Sequence, residues 1–396
     1  MDKSSRYKKS IVRGQRIRIF LTIFLLPSIL FLFTPLETLF LTGFTGLDVL
    51  GEEIANFHII AKDLNLLDFE PLLKEYLPKV KCDGKISLEA DLKFEKDVTI
   101  INGNFSSAKV SLSKGNSSLP LNLSHLEGDF EAKLTGENPE IKGKIRSSEV
   151  RWGRLFLQNI ETDYGLLEKK LDITKCEVKL ADGTIWLNGN IDFVGNPPIF
   201  NVKFTTEGIN IGSILEKWSD SKPISGILSS DASLSGEFGK PTTYSGKAKV
   251  KIEEGDIARI GLFGRIITFS PLATVSRDLS LTTLEGDFDI SEGYASTDNT
   301  TLKGSGLKII AKGDVGWNKR LNFILSFYTS SELLKGTPLT KALGTIVDDF
   351  GNILRRVKLT GTIDNPRFVV VPLGIGNVIV DRLEKSFKKG SPKENR

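Results

Sequence analysis

The chain has 396 residues, with Lys+Arg 53 against Asp+Glu 49 and a formal net charge of +4. Seven of those bases and a single acid precede Ile19, so the leader alone carries +6 and everything after it is slightly acidic. A body with that balance argues against nucleic-acid binding, which calls for a basic face. The length fits either two ordinary domains or one elongated, repetitive one.

The basic leader, residues 1–18, runs into Ile19–Phe33, which is uncharged and holds one proline, Pro27. The apolar texture continues to Leu41 with Glu37 as its one charge. A spanning helix takes about 20 residues, so 19–41 is expected to be a transmembrane signal anchor. No A-x-A-like site follows it, which favours an uncleaved anchor. Basic residues stay on the cytoplasmic side. In a cell with two membranes the chain would then be a single-pass inner-membrane protein, its N-terminus cytoplasmic and its body periplasmic.

Residues 42–79 read as a membrane-proximal segment. Leu66, Phe69, Leu72, Leu73, Tyr76 and Leu77 recur at three- and four-residue spacing, predicting a short amphipathic helix around Glu70–Leu77. Strands begin at once afterwards. Leu88, Ala90, Leu92 and Phe94 alternate with Glu89, Asp91 and Lys93, and the same period of two returns in Phe130–Leu134, Ile185–Phe193, Phe200–Phe204, Ala248–Ile252, Leu307–Trp317, Leu321–Phe327 and Val357–Ile363. Turn signals such as Ala181-Asp182-Gly183 recur at roughly 8 to 12 residues, predicting an antiparallel meander of roughly 15 to 18 strands over 80–372.

The chain also repeats itself. GINIGSILEKW from Gly208 echoes LNLLDFEPLLKEY from Leu64, and Gly226, Leu228, Ala232 and Leu234 then match Gly84, Ile86, Ala90 and Leu92 in polarity. A helix-plus-hairpins unit used at least twice accounts for this. Gly255–Ser276 breaks the alternation as an apolar insert. Pro338–Ile353 reads as helix, and 373–396 as an amphipathic, basic tail.

Motifs of chemistry are missing. The chain holds two histidines, His58 and His125, and two distant cysteines, Cys82 and Cys176, in no metal-ligand spacing. It has no HExxH, P-loop, G-x-S-x-G or phosphate-binding glycine fingerprint. Asp348-Asp349 and Glu253-Glu254 are adjacent in sequence and do not converge on a bond as paired glycosidase acids must. The expectation is a non-enzyme with no cofactor and no metal.

The run GDFDISEGYAS, the strand pair GLKIIAKGDVGWNKRLNFILSF, the helical insert after Glu332 and the closing LTGTIDNPRF together resemble the C-terminal region of AsmA-like bacterial envelope proteins. The likeness is strongest over about 208–372 and extends back to about Leu64. It implies a mostly β fold: a long curved antiparallel meander forming an open, U-shaped apolar groove, related in shape to bridge-like lipid-transfer proteins. Leu88, Leu92, Phe130, Ile191, Phe204, Val250, Ile309, Phe323, Leu325 and Phe327 would then line the groove. The partners implied are phospholipid, the inner membrane, and outer-membrane or other envelope proteins. The function implied is to bind or conduct phospholipid in support of outer-membrane lipid homeostasis or assembly. A non-transporting envelope scaffold or assembly factor, its apolar face buried in its own core or against a partner protein, stands as the alternative.

Overall fold

Alternating apolar and polar side chains are satisfied by extended backbone, which sends successive side chains to opposite faces. The structure, a computed structural model, describes residues 48–50, 54–69, 80–95, 98–114, 120–135, 138–153, 155–195, 197–215, 225–256, 262, 265–266, 281–329 and 352–371. Among them are 18 strands. They are β1 (Asp48–Leu50), β2 (Ile54–Asn65), β3 (Val80–Glu95), β4 (Val98–Lys114), β5 (Leu121–Thr135), β6 (Asn138–Trp152), β7 (Leu155–Leu167), β8 (Lys170–Leu180) and β9 (Gly183–Asp192), then β10 (Ile199–Asn210), β11 (Ile227–Glu237), β12 (Ser245–Glu253), β13 (Leu281–Ser291), β14 (Tyr294–Gly304), β15 (Leu307–Gly316), β16 (Arg320–Thr329), β17 (Asn352–Thr362) and β18 (Pro366–Val371).

Two compact units divide the chain: Met1–Ser221 with Ser229–Gly246, and Lys222–Leu228 with Lys247–Arg396. In the first, β1 to β10 pair antiparallel in unbroken sequence order. In the second, β13 to β18 do the same. The fold is mostly β, and the sheet in each unit is antiparallel and open, not closed into a barrel. No helix among the described residues is long and apolar enough to cross a membrane. The expected anchor 19–41, the helix around Glu70–Leu77, most of the 338–353 helix and the tail 373–396 lie outside the described residues.

Two expectations need correction. Asn352 and Ile353, assigned to a helix, instead open β17 opposite Thr329 and Tyr328. The membrane-proximal segment contains β2, a twelve-residue strand. Its alternation is hidden because Ile60, on the outward side, is apolar and exposed.

The internal echo has a local structural counterpart. Asn65 Oδ1 accepts from the Leu67 N–H at 3.2 Å, capping a 3-10 turn at Leu66–Phe69. Asn210 Oδ1 accepts from the Ser213 N–H, also at 3.2 Å, at the start of a helix at Ile211–Leu215. Gly84 and Gly226, matched in the echo, have φ of +140° and +146°. A Cβ on Gly84 would lie 2.5 Å from the Lys109 carbonyl oxygen, so glycine is required there by both backbone and space.

A bend runs across the first unit. In β4 to β7 the alternation slips once, with two successive residues turned outward: Ala108-Lys109, Ser124-His125, Ser148-Glu149 and Gln158-Asn159. The slips fall at one level. Ser107, Leu126, Ser147 and Ile160 are cross-strand partners on one side of it, and Val110, Leu123, Val150 and Leu157 on the other. Each strand carries the same extra residue, so the ladder is not broken as it is by a bulge in one strand. His125 and Asn159 take φ of 48°. The buried Ser147 hydroxyl shares its hydrogen between the Ser124 and Glu149 carbonyl oxygens, at 2.9 and 3.0 Å. Ser107 repeats the arrangement with Lys85 and Lys109 at 2.5 and 3.2 Å. Serine supplies a donor where the bend leaves carbonyls on the dry side.

This geometry predicts how position 125 responds to substitution. Left-handed backbone costs a side chain with a Cβ about 1–2 kcal/mol and is free for glycine. Both His125→Gly and His125→Val lose the 3.0 Å contact of Nδ1 with Ser148 Oγ. Thermal unfolding of the full chain should therefore place the valine variant below the glycine variant by about that amount.

Candidate functional site

Residues directly opposite in an antiparallel ladder project to the same side of the sheet. The registers of the first unit place Phe57, Leu92, Ile101, Ala132, Ile141, Leu166, Leu171, Ile191 and Phe200 side by side across nine strands. A parallel row nearer the bend begins with Leu88, Phe105 and Gly128 and ends with Cys176, Leu187 and Phe204. Phe130 lies between the two rows, opposite Gly103 and Gly143. The five groove candidates of this unit, Leu88, Leu92, Phe130, Ile191 and Phe204, thus share one face.

That face is tightly filled where it is most apolar. A Cβ on Gly103 would meet the Phe130 ring at 2.7 Å, and one on Gly128 would meet the Phe105 ring at 2.4 Å. The rings lie over the glycines of the neighbouring strand, where a side chain would otherwise stand, and the Tyr164 hydroxyl comes within 3.0 Å of such a position at Gly143. Ile191 is 1% exposed. Leu92 and Phe130 are buried, while Leu88 and Phe204 are half-buried. At the end of the first row the Phe200 ring packs against Phe238 and Tyr244, with centroids 4.9 and 5.3 Å away. Phe105 and Tyr164 were missed in the sequence. The signal for both is a glycine at the facing position of the next strand, visible only once the register is known.

Besides Ser107 and Ser147 at the bend, a further polar spot lies on this face. Thr162 and Cys176 are cross-strand partners, both buried. Burial pushes the Cys176 thiol up, and the Thr162 Oγ1 beside it has no hydrogen-bond partner among the described residues. Cys82 and Cys176 are buried thiols, not joined in a disulfide.

In the second unit, Leu284, Leu302, Ile309 and Phe327 form one row, and Ala311, Leu325 and Val357 the next. Phe323 follows, between Gly313 and Leu359. Ile309 and Leu325 are buried and Phe327 is 0% exposed, whereas Val250 and Phe323 are partly buried against the same cluster. Ile266 and Leu262, from the insert between β12 and β13, belong to that cluster too. The chain therefore covers part of this face itself. The five candidates of this unit, Val250, Ile309, Phe323, Leu325 and Phe327, sit within one apolar cluster.

The opposite face of the first unit is ionic. Lys142 lies 3.0 Å from Glu131, and Lys144 3.0 Å from Glu161 and 3.4 Å from Asp163. The Lys142 hydrogen bond holds Glu131 below the usual carboxylate range, and the Lys144 hydrogen bond does the same for Glu161. Glu161 in turn raises Lys144. His58 Nδ1 lies 2.7 Å from Asp91 on the same outward side. In the second unit Asp314, partly buried, is raised by desolvation, with the Asn322 amide donating to it at 3.2 Å. Among the described residues no three His, Cys, Asp or Glu side chains are grouped to hold a metal ion.

Comparison with models of protein families, with curated proteins and with solved structures returns no match.

Two outcomes test this packing. Gly103→Ala should cost about 1–3 kcal/mol by overpacking. In a Phe130→Leu background, where the ring is gone, it should cost at least about 0.5 kcal/mol less, measured as a double-mutant cycle of urea unfolding. The ion pairs set a direction with pH. Glu131 and Glu161 have folded values below 4.5, so their contribution is complete above that pH and is lost as pH falls through the lowered values. Lys144, raised above 10.5, contributes below that pH and loses it on the alkaline side. The melting temperature should fall on acidification below about pH 4.5, less steeply in Glu161→Gln, with the difference shrinking in salt because the pairs are exposed.

Proposed function

We propose that the apolar face binds the acyl chains of phospholipid, in a protein anchored in the inner membrane and extending into the periplasm. The observation that carries this reading is the uninterrupted apolar row across nine strands, backed by an ionic outer face. No second sheet is present among the described residues to receive that face. Acyl chains gain about 0.8 kcal/mol per buried methylene, so a continuous apolar wall holds a tail without a built headgroup pocket. The bend across β4 to β7 has buried rows on both of its sides, facing the same way: Val110, Leu123, Val150 and Leu157 on one, and Leu126 and Ile160 alternating with Ser107 and Ser147 on the other. Curling along that line turns the inner face of the first unit into a trough. The resemblance to AsmA-like envelope proteins supports the same guest and a role in outer-membrane lipid homeostasis or assembly.

A second reading, a non-transporting envelope scaffold or assembly factor, is favoured by one specific observation. Ile191 and Phe327, at 1% and 0% exposure, already touch neighbours on all sides. Lipid entry at these positions requires the side chains packed around them to move, whereas half-buried Leu88, Phe204, Val250 and Phe323 offer contact without that step.

Photo-crosslinking in the full chain separates the readings. A benzophenone side chain replacing Phe323 or Phe204 should capture phospholipid in membranes, and the same probe at outward Ser326 should not. Capture at neither inward position would sink the lipid reading and leave the scaffold. Phe323→Asp should lower capture by a probe at Val250 at least tenfold, about 1.4 kcal/mol, because a carboxylate there is desolvated. Ser326→Asp, opposite Arg356, is the matching outward control. Asn322→Asp is a poor one, since it sets a second carboxylate against Asp314.

A further inference from the structure

The three hairpin turns β13–β14, β15–β16 and β17–β18 all lie on one rim of the second unit, and each leaves one large apolar side chain in solvent. Tyr294 is 42% exposed, Trp317 46% and Ile363 43%. The turns are tied to one another. The Trp317 N–H donates to the Gly293 carbonyl at 2.9 Å, and the Ile363 N–H to the Lys319 carbonyl at 3.0 Å. Neighbouring tips are two strands apart, roughly 10 Å, so the three exposed residues are spaced in a row along the rim. Charge is interleaved with it. Lys319 pairs with Asp364 at 2.6 Å, while Arg320 and Arg367 are exposed beside the turns, with Glu292 as the remaining acid.

We infer that this rim seats on the interfacial layer of a phospholipid bilayer. Tryptophan and tyrosine pair an apolar body with a polar tip and prefer the headgroup level, where arginine meets phosphate. A protein partner would instead require a contiguous, desolvated patch built around a pocket. Single residues spaced two strands apart along an edge do not make one, whereas a bilayer accepts a row of separate anchors. The inference does not rest on lipid being held by the inner face. A tail bound there leaves the rim in water.

The test uses the full-length protein in vesicles of phosphatidylethanolamine and phosphatidylglycerol. Ile363→Cys carries a nitroxide, and the native thiols, both buried, stay unlabelled. Ser305→Cys, in the turn on the opposite rim between β14 and β15, is the control. At 363 the accessibility to oxygen relative to a water-soluble nickel chelate should exceed that at 305 at least threefold, and Tyr294→Ser with Trp317→Ser should bring it back to the control. The unchanged spectrum at 305 reports that this variant is folded. Equal ratios at 363 and 305 overturn the inference, because the rim is then in water. Shielding of 363 from both oxygen and nickel also overturns it, because that signals contact with protein, a second copy included.

Discussion

Cross-strand pairing is the constraint from which the rest of this molecule follows. In an antiparallel ladder a residue and its direct partner project to the same side, so once one strand faces its leucines inward, the register carries that choice to the next. Across the first unit it carries from Phe57 to Phe200 without an inversion, although β2, β4, β7 and β8 contain local irregularities. The charged side chains have no option but the other face, where lysine strands lie beside glutamate and aspartate strands.

That division gives the first unit two unlike surfaces. The outer side carries exposed ion pairs that add little to stability. The inner side offers apolar surface in quantity, with Ser107, Ser147 and the Thr162–Cys176 pair as polar spots among the residues described above. The aromatic rings there lie over glycines, Phe130 over Gly103 and Phe105 over Gly128, where no side chain stands in their way. The insert carrying Leu262 and Ile266 lies against the corresponding cluster of the second unit, so the two units differ in how much of their apolar face the chain itself occupies.

Much of the architecture was readable before any coordinates, because the strongest signals are local. Period-two alternation located β15, β16 and β17, and the echo of Leu64 at Gly208 matched asparagine caps at Asn65 and Asn210. All ten candidates fell on apolar sides of their strands for the same reason. What stayed hidden depends on register or on compensation. Ile60 masked β2, and Ile353 joined a ladder although its neighbours suggested a helical stripe. The partnership of Phe105 with Gly128 is a relation between strands and cannot be seen along either one. Degree of burial is likewise collective: a sequence marks Phe327 as inward but does not say that its surroundings leave it no exposed surface.

The in-step slip of β4 to β7 makes four strands hostage to one another. Inserting or deleting a residue in any one of them would invert half of that strand and set leucines against lysines, so the seam can move only if all four change together. Hairpins at the ends of the meander face no such rule. A chain of this design is free to grow by duplicating whole hairpins along its length and is barred from widening strand by strand, and the doubled asparagine-capped segment is the kind of trace such growth leaves.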